Sequence, residues 1–443
     1  MLSNKSNSAL SAALLWEAKK LGFSDAQIGE AIDKSAKEIR NLRKRFHIIP
    51  HICQIDTLAG EFPAKTNYLY LSYYRDKNDI EKGGKRKICI IGGGPYQIGS
   101  SVEFDWCAVN CVLTAKKLGY SPIMINCNPE TVSTDYDISD KLYFEELTLE
   151  RILDILDFEE SPLVVSVGGQ IPNNLAPKLA SEHVQFLGNP PKVIDLVDDR
   201  GKFSHFLDKL NIKQPLWKRL KSKKEAILFA QKIGFPVLVR PSYVLSGRAM
   251  FVAYSEKVLR EFFDKSYAVI NPEYPLVMSK FIRGAKEVDF DAVAQNGEIK
   301  VYAISEHVEH AGVHSGDATL VLPSFSLSHA ASKKIKDIAK KIAKHLPVSG
   351  PFNIQFLASE EEGTFPEVMV IEANLRASRS FPFVSKIMGV NFIEMATKIM
   401  LKQKVETSNI KTPRYFGVKV PHFSFTRLRQ ADPVLLVEMA STG

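Results

Sequence analysis

The amino-acid sequence predicts a multidomain α/β and α+β protein that begins with a helical segment. The chain has 443 residues, which is more than one hydrophobic core usually organises. After a polar linker at 75–87, strand-like and helix-like patterns alternate up to about residue 198, which is typical of a parallel sheet. From about residue 200 onward, apolar strands joined by short turns predominate, which indicates an α+β arrangement.

The composition argues against a membrane protein and against a zinc protein. Hydrophobic residues make up 45% of the chain and charged residues 24%, and no apolar run approaches the roughly 20 residues that span a bilayer. The five cysteines form no C-x-x-C pair, which favours free thiols over a metal site.

The N-terminal part, residues 1–82, is predicted to be a helical segment. Ser24 precedes Gln27 by three residues, and Ser35 precedes Glu38 by the same spacing. This spacing is typical of the capping box that begins a helix. Two short helices should therefore follow one another here.

Positive charge is concentrated in this part of the chain. Residues 1–87 carry 16 basic against 10 acidic side chains, and KEIRNLRKRF at 37–46 is the densest basic stretch. Two interpretations are open: a recognition helix that binds DNA, or a basic face that is solvated or docks on an acidic surface. The second is favoured, because no aromatic or amide side chains accompany the charges to read bases.

Residues 83–198 are predicted to form a Rossmann-like parallel sheet. The buried strand KICII is followed by a glycine-rich loop and then by an apolar-periodic helix that ends at Gly119. Ser100 and Glu103 are the predicted capping pair of this helix. The strands PIMIN and LVVSVGG follow, with the helix LTLERILDILDF between them.

The glycine-rich loop is a poor match to a dinucleotide fingerprint. Gly92, Gly94 and Gly99 are spaced two residues wider than that fingerprint requires, and Pro95 interrupts them. The chain also contains no G-x-x-x-x-G-K-[ST] sequence. A protein of this sequence that uses ATP must hold the phosphates in another way.

Two polar strands are the strongest candidates for a functional site. GPFNIQFLA at 350–358 and PEVMVIEANLRASRSF at 366–381 are predicted to be antiparallel neighbours. With a period of two residues, Asn353 and Gln355 lie on one face of the first strand. A solvated sheet face is the alternative, but the apolar runs that flank both strands favour a cleft.

The second of these strands carries a carboxylate, an amide and an arginine on one face. Glu372, Asn374 and Arg376 alternate along it. The Glu372 carboxylate and the amide oxygens of Asn374 and Gln355 are the oxygen ligands that suit Mg²⁺. Arg376 and Arg379 beyond them suit phosphate oxygens.

Other stretches carry weaker indications of a nucleotide site. LVRPSYVLSGRAM at 238–250 predicts a strand with Arg240 near its end and a small-residue loop that lets backbone N–H groups approach phosphates. A hairpin with an exposed arginine explains that pattern equally well. At 277–291, a strand is followed by Glu287, seven residues past Lys280; the main-chain edge would suit adenine and the carboxylate would suit ribose. The stretch HVEHAGVHSGDATLVLPSF at 307–325 leaves open a metal site, a polar loop or a phosphate-binding loop.

Five motifs together resemble the large subunit of carbamoyl phosphate synthetase. They are RKICIIGGGPYQIGSSVEFDW, NCNPETVSTDYD, RPSYVLSGRAM, SEHVEHAGVHSGD and IEANLRASRSFPFVSK. The similarity is to its second, C-terminal synthetase half, which is an ATP-grasp unit, and it extends from about residue 10 to residue 443. SVEFDW, SVGGQIPNN and ASRSFPFVSK resemble the eukaryotic-type members.

The resemblance implies three parts and a longer parent enzyme. Residues 1–82 resemble the end of the family's helical oligomerisation domain, which argues against specific nucleic-acid binding. Residues 83–198 are similar to its Rossmann-like pre-ATP-grasp domain, and residues 199–443 to its ATP-grasp domain. The glutaminase, the first synthetase half and the regulatory domain have no counterpart here. The chain is therefore expected to be a fragment.

The resemblance also implies roles for individual residues. Those that match the family's ATP site are Arg200, Arg240, Lys280, Ile282, Glu287, Gly312, Val313, His314, Ser315, Gln355 and Glu372. Those that match its divalent-metal ligands are Gln355, Glu372 and Asn374, and those assigned to catalysis are Arg376, Arg379 and Asn353. His307 and Glu309 are expected near a potassium ion. Leu375 departs from the family pattern, in which proline is more usual.

The implied activity is phosphorylation of carbamate by ATP to give carbamoyl phosphate, in pyrimidine or arginine/urea biosynthesis. The implied cofactors are ATP with Mg²⁺ or Mn²⁺, and K⁺. The implied partners are the first synthetase half, a glutaminase and further copies of the chain. No association with a membrane is expected. The expected compartment is the cytoplasm, or the mitochondrion for a parent of the urea-cycle type. The alternatives are another ATP-grasp carboxylate ligase or carboxylase, and a non-catalytic nucleotide-binding scaffold.

Overall fold

The structure is a computed structural model. It describes residues 10–63, 66–84, 86–241, 250–265, 276–360, 365–407, 413–427 and 433–443. Within these residues, three β-sheets with flanking helices follow a short N-terminal helical unit. None of the described helices is both long and apolar enough to cross a membrane.

Three short helices open the described chain. They are α1 (Ala12–Lys20), α2 (Asp25–Ala31) and α3 (Ala36–Arg45). Ser24 and Ser35 are the N-caps of the second and third, and each side chain accepts the N–H of Gln27 or Glu38. The side chains of Gln27 and Glu38 accept in return from the cap N–H groups. Both predicted capping boxes are confirmed.

The first sheet has six strands, in the order β1-β2-β5-β4-β3-β6. They are β1 (His51–Gln54), β2 (Tyr68–Ser72), β3 (Lys87–Ile91), β4 (Ser121–Ile125), β5 (Lys141–Tyr143) and β6 (Leu163–Val164). Strands β2 to β6 pair in parallel, as predicted, and β1 pairs antiparallel with β2.

The predicted helical segment 1–82 therefore contains two strands, and its described helices end at Arg45. Leu69 and Leu71 point into the core while Tyr70 is exposed, which is the alternation of a half-buried strand. β1 has only four residues, too few for a readable period. β1 is recognisable only through its pairing with β2.

Helices pack on this sheet. They are α4 (Val102–Lys117), α5 (Leu149–Glu159), α6 (Gln170–Ala180) and α7 (Pro191–Asp198). The predicted cap of α4 is wrong by one residue, because Ser101 is the N-cap and makes no capping hydrogen bond to the backbone. Ser100 instead donates to the Gly93 carbonyl at 2.9 Å and closes the glycine-rich loop. Gly119 follows the C-cap with φ +75°, as predicted.

The basic face of α3 docks on the acidic helix α5. Arg40 bonds Asp154 and is 6% exposed. Arg43 is fully buried, holds Asp25 through two nitrogens at 2.8 Å and lies 3.4 Å from Asp154. Acidic side chains of the same chain thus neutralise the densest basic stretch. This agrees with the interpretation in which the basic face docks on an acidic surface.

We expect Arg43→Ala to lower the free energy of unfolding by about 3 kcal/mol, because the buried Asp25 and Asp154 would each lose a counter-charge and keep only Lys19 and Arg40, respectively. Urea denaturation measures the change. Lys44→Ala is the matched control: its ammonium pairs at 2.6 Å with the half-exposed Asp157, so the expected loss is below about 1 kcal/mol. Equal losses in the two variants would contradict the buried cluster as the source of stability.

The second sheet has four antiparallel strands in the order β7-β10-β8-β9. They are β7 (Trp217–Leu220), β8 (Val237–Pro241), β9 (Phe251–Ala253) and β10 (Leu276–Lys280). The accompanying helices are α8 (Arg200–Lys209), α9 (Lys223–Ile233) and α10 (Glu256–Lys265). The small-residue loop predicted to approach phosphates falls at 242–249, outside the described residues.

The third sheet has six antiparallel strands in the order β15-β14-β11-β12-β13-β16. They are β11 (Lys286–Gln295), β12 (Glu298–His310), β13 (Leu320–Leu322), β14 (Gly350–Ser359), β15 (Glu367–Asn374) and β16 (Gly417–Lys419). Helices α11 (His329–His345), α12 (Phe381–Met388) and α13 (Phe392–Met400) accompany it. The predicted pairing of the two polar strands is confirmed.

The apolar cores separate the second sheet from the other two. One continuous buried cluster contains both Ile91 of β3 and Phe290 of β11, so the first and third sheets are packed into one body. Val239 and Phe263 belong to a separate cluster under the four-stranded sheet. The four-stranded sheet is thus a distinct layer, and a cavity lies between it and the third sheet.

Candidate active site

A cavity of about 450 Å³ lies between the four-stranded sheet and the polar face of the third sheet. Every predicted site residue except His307 and Glu309 lines it. These residues are Arg200, Arg240, Lys280, Ile282, Glu287, Gly312, Val313, His314, Ser315, Asn353, Gln355, Glu372, Asn374, Arg376 and Arg379. Residues spread over 180 positions of the chain thus share one space.

Strand pairing places the proposed metal ligands side by side. Gln355 of β14 lies opposite Glu372 of β15, and Asn353 lies opposite Asn374. The Asn374 amide donates to Glu372 Oε1 at 3.4 Å. The Gln355 amide donates to Ser315 Oγ at 2.6 Å, which ties the strand to the loop above it. A carboxylate and two amides therefore face the cavity together.

Two arginines determine the charge state of Glu372. Burial alone would raise its pKa, but the charge and hydrogen bond of Arg200 and the charge of Arg240 lower the pKa to about 2. Arg200 Nη2 lies 2.6 Å from Glu372 Oε2. Burial and the charge of Arg200 lower the pKa of Arg240 to about 9. One carboxylate between two arginines leaves this wall positive, which suits a phosphate chain.

Arg376 and Arg379 lie on the loop between β15 and α12. Arg376 Nε donates to Gln170 Oε1 at 2.9 Å, which links the third sheet to α6. Arg379 Nε donates to Glu103 Oε1 at 3.1 Å on α4. Arg379 Nη2 is buried and has no hydrogen-bond partner among the described residues. A buried cationic donor without a partner fits an anionic ligand.

A buried carboxylate holds this arginine loop in place. Asp291 accepts hydrogen bonds from Ser378 Oγ at 2.6 Å and Ser380 Oγ at 2.5 Å. It also accepts from the Asn353 amide at 2.9 Å. The amide nitrogen of Asn353, although at the cavity wall, is therefore committed to the loop anchor. The alternating acids of the buried strand EVDFDAVA are the signal that could have identified Asp291.

The histidines of the 307–325 connection do not meet. His307 is buried and bonds Asp289 at 3.1 Å; burial lowers its pKa, but this bond and the charge of Glu287 outweigh burial and raise it. His314 lines the cavity, and burial lowers its pKa. His310 is exposed. Within the described parts of the chain, no three His, Cys, Asp or Glu side chains are grouped to hold a metal ion.

The loop that carries His314 lies close to the cavity wall. Gly312 has φ +125°, and a Cβ there would come within 3.0 Å of the Phe281 ring, so a side chain would be strained. Glu309, in contrast, accepts the N–H of Thr319 at 2.8 Å and does not line the cavity.

We expect the stability of the ligand-free protein to depend on pH through Glu287. Burial raises the pKa of Glu287 to about 7 from an ordinary 4.5, and the nearby charge of Asp289 adds to the rise. The folded state then binds the proton more tightly than the unfolded state. The resulting stability is complete below pH 4.5 and is lost as the pH rises to about 7.

Glu287→Gln should therefore change unfolding free energy little at pH 5 and stabilise the protein by about 3 kcal/mol at pH 8. Urea denaturation at the two pH values is the measurement. Glu298→Gln, which alters an exposed pair with Lys300, should show no such difference. A Glu287→Gln effect that is the same at both pH values would contradict the prediction.

Three family models match the chain. The carbamoyl-phosphate synthetase large chain oligomerisation domain matches residues 1–47. The carbamoyl phosphate synthase preATP-grasp domain matches residues 84–196. The carbamoyl-phosphate synthase L chain ATP binding domain matches residues 199–408.

Curated relatives are about half identical along nearly the whole chain. "Multifunctional protein pyr1-3" of Dictyostelium discoideum is 53% identical over 443 residues, 99% of this chain and 20% of its own length. The mitochondrial arginine-specific carbamoyl phosphate synthase large chain of Schizosaccharomyces pombe is 51% identical over 98% of this chain and 38% of its own length. The mitochondrial carbamoyl-phosphate synthase [ammonia] of Rattus norvegicus is 51% identical over 97% of this chain and 29% of its own length. The chain thus spans a fifth to two fifths of these relatives.

Solved structures with low identity share the fold. The biotin carboxylase domain of Hydrogenobacter thermophilus 2-oxoglutarate carboxylase has a TM-score of 0.62 at 18% identity, covering 76% of this chain and 74% of its own. An ADP complex of N5-carboxyaminoimidazole ribonucleotide synthetase has a TM-score of 0.61 at 14% identity, covering 80% and 90%. The predicted fold class, a pre-ATP-grasp domain followed by an ATP-grasp domain, is confirmed. The fold is shared by several enzymes, whereas the sequence similarity of this chain points to one family. The chain belongs to the carbamoyl phosphate synthetase large-chain family.

Proposed function

We propose that this chain phosphorylates carbamate with ATP to give carbamoyl phosphate, as the second synthetase half of a carbamoyl phosphate synthetase. One observation carries the proposal. Four arginines and the ionised Glu372 line a single cavity, and one of the arginines, Arg379, presents a buried donor without a partner among the described residues. A phosphate chain and a second small anion would use this charge.

The nucleotide lies along the four-stranded sheet. Lys280, Ile282 and Glu287 contact adenine and ribose, and the loop 312–315 covers them. Arg200 and Arg240 bind the phosphates. Arg200 bonds Glu372 at 2.6 Å, so a phosphate bound by Arg200 would compete with this carboxylate for the arginine.

Gln355, Glu372 and Asn374 would hold the divalent cation, Mg²⁺ or Mn²⁺. Their fit rests on chemistry seen in the structure: hard oxygen donors face one space, and the carboxylate stays ionised because its pKa is about 2. The bound cation supplies charge neutralisation to the transferring phosphoryl group. A potassium ion near His307 and Glu309 is part of the proposal, supported by the buried acids Glu287 and Asp289 beside them.

The reaction is an in-line phosphoryl transfer. A carbamate oxygen forms a bond to the γ-phosphorus, and the bond from that phosphorus to the oxygen bridging it to the β-phosphorus breaks, releasing ADP. Arg376 and Arg379 stabilise the charge that develops on the transferring group. Asn353, held by Asp291, positions the loop that carries both arginines. The cavity limits access of water, in which carbamate is unstable.

The proposal includes the context of a longer enzyme. The first synthetase half and a glutaminase would supply carbamate and ammonia, and copies of the chain would associate. The product would serve pyrimidine or arginine/urea biosynthesis, in the cytoplasm or, for a parent of the urea-cycle type, in the mitochondrion. Support comes from relatives that are several times longer and whose names include both multifunctional and mitochondrial proteins.

The reverse reaction tests the proposal on this chain alone. ADP, Mg²⁺ and carbamoyl phosphate can diffuse into the cavity, so we expect ATP to form and luciferase to detect it. Chelation of the metal should abolish the signal. Acetyl phosphate should be a poor donor, because its methyl group would leave polar partners of the carbamate nitrogen unpaired. A folded protein that does not bind MgADP would refute the nucleotide site and the function together.

A further inference from the structure

Lys419 is a charged residue that lines the cavity and has no role in the proposed binding of nucleotide, metal or carbamate. It is the last residue of β16 and lies opposite Leu320 of β13. Leu320 in turn lies opposite His307 of β12. Lys419 and Leu320 both line the cavity, so Lys419 faces the same space as the polar strands.

The acids around Lys419 have other partners. Glu103 bonds Arg379, Asp289 bonds His307, and Asp317 accepts the N–H groups of residues 440 and 441. Among the described residues, no hydrogen bond or ion pair joins the ammonium of Lys419 to any of these carboxylates. Lys280, the other lysine considered above, is by contrast bound to the carbonyls of residues 234 and 235.

Arg379 lines the same cavity as Lys419, and its buried Nη2 also lacks a partner in the described chain. Two like charges on one wall repel each other, and burial adds to the cost. Both effects lower the pKa of Lys419, burial more than the charge of Arg379. A bound anion would remove both costs, because it would supply the counter-charge and accept the free N–H bonds.

We propose that Lys419 and Arg379 together form the subsite for the acyl phosphate, with Lys419 in direct contact with this small anion. The inference rests on the proposed function and deepens it. Arg200 and Arg240 occupy the nucleotide side of the cavity, whereas Arg379 and Lys419 lie beside Glu103 of α4. The ligand of this wall is therefore the substrate that is not a nucleotide.

Steady-state kinetics of ATP formation distinguish the two sides of the cavity. We expect Lys419→Met to raise the KM for carbamoyl phosphate at least tenfold, with the KM for ADP changed less than twofold. Lys419→Arg, which keeps the charge, should recover most of the loss. Lys340→Met, an exposed lysine of α11, should change neither constant. An unchanged KM for carbamoyl phosphate, or an equal rise in both constants, would overturn the inference.

Equilibrium binding separates this inference from the proposed function. A wild-type chain that binds MgADP but forms no ATP would count against the function. In that case calorimetry in the presence of MgADP measures the affinity for carbamoyl phosphate and, separately, for inorganic phosphate. At least tenfold weaker binding to Lys419→Met than to Lys340→Met would still support the subsite. Equal binding to the two variants, or no binding to the wild-type chain, would refute it.

Discussion

Glu372→Gln is expected to lower the rate of ATP formation from ADP and carbamoyl phosphate by about 10²-fold or more. The carboxylate is the only ionised group among the three proposed metal ligands, and its pKa of about 2 keeps it charged throughout the working range of pH. The amide has nearly the same shape but carries no charge. Turnover should therefore fall, and the concentration of Mg²⁺ needed for half-maximal rate should rise.

The same substitution should weaken folding modestly, because Arg200 and Arg240 would lose their shared counter-charge. Glu367→Gln is the matched control on the same strand: Glu367 forms a surface pair with Lys213, and neither turnover nor stability should change noticeably. Near-wild-type turnover of Glu372→Gln at low Mg²⁺ would rule out the proposed metal site.

Arg379→Ala is expected to slow ATP formation by about 10²- to 10³-fold, the usual cost of removing one donor to developing charge in a closed site. Its Nη2, which has no partner among the residues that the structure describes, points to contact with the reacting group and not only to support of the fold. Millimolar guanidinium should restore part of the rate, which a purely structural defect would not allow. Arg260→Ala on the exposed face of α10, where Arg260 pairs with Glu256, is the control and should be fully active.

Part of the Arg379→Ala effect will be structural, because Glu103 loses its partner at 3.1 Å. Binding of MgADP separates the two contributions: a folded variant should bind MgADP as tightly as the wild-type chain. A variant that binds MgADP normally and also forms ATP at the normal rate would remove Arg379 from the reaction.

Local features of the sequence were sufficient for most of the elements. The capping boxes at Ser24 and Ser35 and the polar alternation of residues 353–355 involve side chains within three positions of one another. Their geometry depends on helix and strand periods that hold in any protein. The N-cap of α4 is Ser101 and not Ser100, because the Ser100 hydroxyl donates to the Gly93 carbonyl in the preceding loop. The helical period does not predict this contact.

Long-range pairing decided what local patterns could not. β1 is a strand through its pairing with β2, and β2 in turn pairs with β5; the basic helix α3 docks on the acidic helix α5 more than 100 positions away. The salt bridge between Arg200 and Glu372 joins residues 172 positions apart. The charge of a buried group depends on such neighbours, so neither the low pKa of Glu372 nor the raised pKa of Glu287 could be read from the residues alone.

The sequence by itself determined most of the helices and strands after residue 83, the residues that share each polar face, and the family to which the chain is similar. Only the tertiary structure decided that these faces meet in one cavity, that Asp291 anchors the arginine loop, and that Lys419 lines the same cavity as Arg379. The physical reason is range. Backbone geometry and periodicity act over a few residues, whereas burial and charge act through space between residues that the chain brings together only when it folds.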